Sequence, residues 1–122
     1  MKLNHHFLSG IVCGGLLVTG LSYLQSVVAA GAEAKILLEN DRVRVRQVAF
    51  QPGVRPGVHT HSVAHVGVIL DDGSLTFVEK GKKDETVNFK SGEAGFREAN
   101  VSHEVFNSGS KPIRVVEVEL KK

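Results

Sequence analysis

The sequence predicts an all-β fold, a sandwich or barrel of about eight short strands. Three observations carry that expectation. Arg42-Val43-Arg44-Val45-Arg46-Gln47-Val48 and Ile113–Leu120 alternate in the period of two that marks half-buried strands. Turn residues punctuate the chain between them at intervals of roughly 6–12 residues, close to the spacing of small β domains. Beyond the N-terminal segment no stretch carries the 3.6-residue periodicity of an amphipathic helix.

Of the 122 residues, those from Leu3 to Ala32 include no Asp, Glu, Lys or Arg, and Phe7 to Leu24 is apolar or small. With Lys2 ahead and small residues behind, residues 1–32 read as an export signal, processed at Ala30-Gly31-Ala32 or Val28-Ala29-Ala30. The competing expectation is an uncleaved anchor, since an apolar stretch of about 18–20 residues can span a bilayer. Export places the domain of residues 33–122 in the periplasm or outside the cell; retention would tether it to the membrane, facing away from the cytoplasm. Cys13 lies in the apolar segment after Val12, without the small residue a lipoprotein signal needs, so the remainder has neither a disulfide framework nor a thiolate ligand.

Within residues 33–122 the elements follow in order. The Arg42/Arg44/Arg46 face of the first alternating strand is expected in solvent. Gln51-Pro52-Gly53-Val54-Arg55-Pro56-Gly57 is a double Pro/Gly turn. Strands over 64–70 and 75–79 flank Asp71-Asp72-Gly73-Ser74, which reads as a hairpin turn of the Asp-Gly type. Residues 80–84 turn again, and strands follow over 85–89, 95–98, 102–107 and 113–120. Phe77, Phe89, Phe96 and Phe106 are expected in the core.

Charge narrows the function classes. Residues 33–122 hold all 13 acidic residues and 14 of the 15 basic ones, a net charge of +1. No basic run interleaved with aromatics occurs, so nucleic-acid binding has no support. No Ser-His-Asp arrangement, phosphate loop or cysteine nucleophile is visible.

What remains is histidine. Four of the six lie beyond the leader: His59, His61, His65 and His103. Positions 59, 61 and 65 share parity, so on extended backbone their side chains point to one face. Three imidazoles on one face and a fourth from a distant strand make a metal site of the kind that neutral imidazole favours: Fe, Zn, Ni, Cu or Mn. Binding should fade below about pH 6, because protonated imidazole does not ligate.

These residues also carry a resemblance. Gly53, five residues, His59-Thr60-His61, three residues and His65, with Gly73 beyond, resemble the first motif of the cupin superfamily. In that motif a glutamate stands where this chain has His65, and the closing glycine comes one residue earlier. Gly92, five residues, Glu98-Ala99-Asn100, two residues, His103, three residues and Asn107 resemble the second motif, with Glu98 and Asn100 in place of its proline and glycine. Asn tolerates the left-handed backbone that the glycine would supply.

The resemblance implies a small double-stranded β-helix, or jelly-roll, barrel with a divalent metal inside its mouth, and a homodimer that shares edge strands. It makes His59, His61, His65 and His103 the expected ligands, with His65 alternatively a neighbour that does not bind. Asn107 either hydrogen-bonds the barrel backbone or supports the ligands from behind. Four imidazoles leave the ion its full charge, which attracts an anion. Glu98 is the only carboxylate near the motifs that could act as a base, and Arg55 and Arg97 could clamp a substrate carboxylate. The implied function is a metalloenzyme of dioxygenase, isomerase or lyase type acting on a small polar or anionic compound. The alternative is a non-catalytic module that binds a metal or small ligand.

Overall fold

Nine antiparallel strands form two facing sheets in a computed structural model that describes residues 32–122. They are β1 (Ala32–Glu39), β2 (Val43–Phe50), β3 (His59–Thr60), β4 (His65–Ile69), β5 (Gly73–Val78), β6 (Glu85–Phe89), β7 (Ala94–Arg97), β8 (Ser102–Asn107) and β9 (Ile113–Leu120). The larger sheet has the order β1-β2-β9-β4-β7 and the smaller one β3-β8-β5-β6. The expected leader falls outside the described residues, although β1 begins at Ala32, the last residue of its expected processing site.

Alternation decides which side chains meet between the sheets. Val48 and Phe50 of β2, Ile69 of β4, Leu75 of β5, Val105 of β8, and Ile113 and Val115 of β9 form one buried cluster. Toward the other end the same inward files turn polar. Along β9, Ile113 and Val115 give way to Glu117 and Glu119; along β8, Val105 gives way to His103; along β4, Ile69 gives way to Gly67 and His65. The barrel thus has an apolar half that holds it together and a polar half available for chemistry.

Three expectations are corrected. The Asp71–Ser74 segment does not close a hairpin, because β4 and β5 lie in different sheets. Asp71 instead accepts hydrogen bonds from the Arg114 guanidinium and backbone N–H, which turns the chain from one sheet to the other. Gly73 is required by space: a Cβ there would come within 2.5 Å of Cδ1 of Ile113, a fully buried side chain. Second, Arg44 and Arg46 are only partly solvated. Each sits directly across from an inward carboxylate, Arg44 opposite Glu119 and Arg46 opposite Glu117, and only Arg42 of the three is exposed. Third, Phe96 is 55% exposed and Phe106 lies on the outer face beneath the Arg55 guanidinium, 4.0 Å from its ring centre. Phe77 and Phe89 do pack against the core, edge to face, with ring centres 6.3 Å apart.

Asn100 takes a φ of 64° and donates its N–H to the His61 carbonyl at 2.7 Å. The left-handed residue expected in place of glycine is therefore also the link between the two histidine segments.

Candidate metal centre

The four histidines come from four places in the chain. His59 lies on β3 directly opposite His103 on β8; His61 follows β3, and His65 opens β4. His61, His65 and His103 are buried, with 7%, 6% and 3% of their surface exposed. Ring donor atoms of His59, His61 and His103 lie within 4.8 Å of one another. The Nε2 atoms of His59 and His103 are 3.2 Å apart. His61 is oriented from behind: its Nδ1 faces Glu119 Oε1 at 3.2 Å, while its Nε2 is buried with no hydrogen-bond partner. Nδ1 of His65 and Nδ1 of His103 are likewise buried and unpartnered.

Burying polar nitrogens without partners costs about 1–3 kcal/mol each. Clustering imidazoles adds repulsion whenever one is protonated. Burial and then the neighbouring His59 ring push the His103 pKa down to about 4. Burial, followed by the proximity of His61, lowers His59 and His65 as well. Neutral imidazoles with free lone pairs are what a divalent transition ion needs, so the donor set fits such an ion.

His65 is placed differently from the other three. Its ring lies against that of His61, centres 4.2 Å apart and planes inclined by 39°, whereas the remaining imidazole pairs meet edge to face. It belongs to a second three-donor group, with His61 and Glu117.

Glu117 is the residue that sequence reasoning missed. It sits on the central strand of the larger sheet between Arg46 on β2 and Gly67 on β4, which has no side chain. Arg46 donates from Nε to Glu117 Oε2 at 2.7 Å, with its Nη2 at 2.6 Å from the same oxygen. The available signal was parity: 117 and 119 fall in step with Ile113 and Val115.

Two cavities meet at the centre. A largely apolar one of about 410 Å³ runs through the barrel, and a polar one of about 710 Å³ opens between β2, β9 and the loop before β3; both touch Phe50, His59 and Glu117. Arg97 lines the barrel cavity, stacked 4.5 Å over Phe77 and paired with Glu79 at 2.6 Å.

Arg55 lines neither cavity. It is bound to Glu104, which holds that carboxyl below its usual pKa and ties the 51–57 turn to β8. Glu98 is exposed and outside both cavities, so the structure does not bring it to the histidines. Asn107, fully buried, lies two inward positions from His103 with Val105 between. It donates to the Phe50 and Lys111 carbonyls and accepts from Gly109 N–H, so of its two expected roles it takes the backbone one.

Comparison with known proteins agrees with this geometry. The cupin domain family matches residues 46–119. The beta-alanine degradation protein BauB of Pseudomonas aeruginosa is 35% identical over 86 residues, covering 70% of this chain and 90% of that protein. A crystal structure of a cupin domain from Bordetella pertussis superposes with a TM-score of 0.69 at 31% identity, covering 76% of this chain and 96% of that one. A protein of Thermotoga maritima described as a predicted oxalate decarboxylase reaches a TM-score of 0.60 at 25% identity, covering 75% and 81%.

Proposed function

This chain belongs to the cupin superfamily, and on that premise we propose that it is an exported metalloenzyme acting on a small polar or anionic organic compound. One divalent transition ion is held by His59, His61, His65 and His103. The observation that carries this reading is the buried, unpartnered Nε2 of His61 beside the facing Nε2 atoms of His59 and His103. A bound ion of this kind supplies Lewis acidity, polarising an oxygen of the substrate.

The protein's own residues do the rest. Glu119 fixes the tautomer of His61 by accepting from Nδ1, which keeps Nε2 free as a donor atom. Phe50, Phe77 and Phe89 wall the barrel cavity and make its lining largely apolar. Arg97, at the same cavity, can exchange Glu79 for a substrate carboxylate, a bidentate pairing that guanidinium favours. Two relatives support a carboxylate-bearing substrate, since one is named for the degradation of beta-alanine and the other for oxalate. Ile36, Leu37 and Leu38, exposed on the edge strand β1, support a homodimer.

The test begins with elemental analysis of protein purified without chelator. One equivalent of a transition ion, lost in His61→Ala, is expected; less than about a tenth of an equivalent after reloading would refute the metal. Oxygen uptake and product formation with diketones, catechols, thiols and small carboxylates then separate an enzyme from a binding module. Tight ligand retention without turnover under any metal would establish the module. N-terminal sequencing of the mature protein tests export, and a start at Met1 would favour the anchor.

A further inference from the structure

We infer that Glu117 is an anionic ligand of the metal centre, replacing from β9 the carboxylate that the first cupin motif lacks at His65; this rests on the metal reading above. The motif carries its negative charge on β4, and here that position is an imidazole. A carboxylate nevertheless reaches the site from the neighbouring strand. One oxygen of Glu117 lies within 4.8 Å of donor nitrogens of both His61 and His65, which are buried and carry unpartnered nitrogens.

The environment of Glu117 favours a ligand over a purely structural acid. Oε2 takes the hydrogen bond from Arg46, and Oε1 accepts no hydrogen bond among the described residues. A carboxylate with one oxygen committed and one free is anchored in position yet keeps a donor atom. Glu117 lies across the strand pair from Gly67, which has no side chain, and it borders both cavities, as His59 does. Arg46 then competes with the ion for the same carboxylate, which would set how tightly the ion is held. Glu119, one inward position along β9, is committed differently: it contacts His61 Nδ1 and lies near Arg44 and Arg46, so it positions an imidazole.

An anionic oxygen donor also alters which ion the site prefers. Imidazoles alone suit Cu and Zn, whereas a carboxylate recruits harder ions such as Mn. The experiment is to titrate Mn²⁺ and, separately, Cu²⁺ into the metal-free full chain, as wild type, Glu117→Gln and Arg46→Gln, by calorimetry. If Glu117 ligates, Glu117→Gln weakens Mn²⁺ binding by more than about 100-fold, beyond the 10–100-fold that losing an outer partner costs. Cu²⁺ weakens by less than Mn²⁺, and Arg46→Gln binds Mn²⁺ at least as tightly as wild type. Equal weakening by both substitutions, or equal losses for the two ions, overturns the inference, because Glu117 would then matter only through its pair with Arg46. Should Glu117→Gln fail to fold, Arg46→Gln decides alone: Mn²⁺ binding at least as tight as in wild type supports the ligand and weaker binding overturns it. A wild-type chain that binds neither ion overturns the metal reading itself, and this inference with it.

Discussion

Replacing Asn107 by Ala should destabilise the domain by about 3 kcal/mol while leaving the metal centre intact in every folded molecule. Asn107 has no exposed surface and makes three hydrogen bonds: Nδ2 to the carbonyls of Phe50 at 2.9 Å and Lys111 at 2.7 Å, and Oδ1 from Gly109 N–H at 2.9 Å. It therefore clamps the end of β2 and the β8–β9 turn onto the end of β8. The substitution strands three main-chain groups. The bond to Phe50 is buried, and its stranded carbonyl costs about 1–3 kcal/mol; the other two are part-buried, where water can substitute and the loss is nearer the ~0.5–1.5 kcal/mol of an ordinary net bond. A domain of this size loses roughly 4–8 °C of Tm per kcal/mol, so thermal melting followed by circular dichroism should show a fall of about 12–24 °C.

Asn107→Asp sharpens the test. It keeps the acceptor for Gly109 but turns a donor into an oxygen facing two carbonyl oxygens, so at pH 7 it should be worse than Ala. A Tm loss under about 4 °C for Asn107→Ala would refute the clamp. Unchanged melting with weakened metal binding would return Asn107 to a role behind the histidines.

Other outcomes follow from the same geometry. Gly73→Ala should lose about 1–3 kcal/mol in denaturant titration, because its Cβ displaces the buried Ile113 side chain. His61→Ala should abolish metal loading, since both three-donor groups share that residue, whereas His65→Ala, which enters only one, should weaken affinity and retain measurable loading by elemental analysis. With the His103 pKa near 4 and those of His59 and His65 lowered, protonation of these three rings should weaken metal affinity only at a lower pH than it would for exposed imidazoles, as followed by pH titration. The same shifts make the unfolded chain, with imidazoles near 6.5, the better proton binder between about pH 4 and 6.5. The metal-free protein should therefore be at full strength above that window and lose stability as pH falls through it; stability independent of pH there would contradict the burial of these rings.

Much of the fold was legible because strand periodicity is a local property. The seven strands expected between Arg42 and Leu120 were found, three with the expected bounds and four with shifted ends. Strand β1 was not expected as an element, since Ala32–Glu39 does not alternate strictly and exposes Ile36, Leu37 and Leu38. The Asp71–Ser74 hairpin failed for a different reason. An Asp-Gly turn specifies that the chain bends, but whether the flanking strands then pair depends on distant partners, here Arg114 and Ile113 on β9.

The histidines were legible because they are close in sequence and spaced to fit a known motif. Their electrostatic partners were not, because β9 lies more than 50 residues from His61. On that strand Glu117 and Glu119 read as ordinary polar positions beside Val116 and Val118. Only the two sheets' closure puts the acidic file inside, and only the β2–β9 register sets Arg44 and Arg46 across from it. An all-imidazole site with no carboxylate nearby, as the motifs suggest, is therefore a property of the motifs and not of the centre. Two carboxylates and an arginine surround the histidines, and proton transfer or anionic ligation no longer depends on Glu98. The acidic charge beside the histidines is supplied by the last strand.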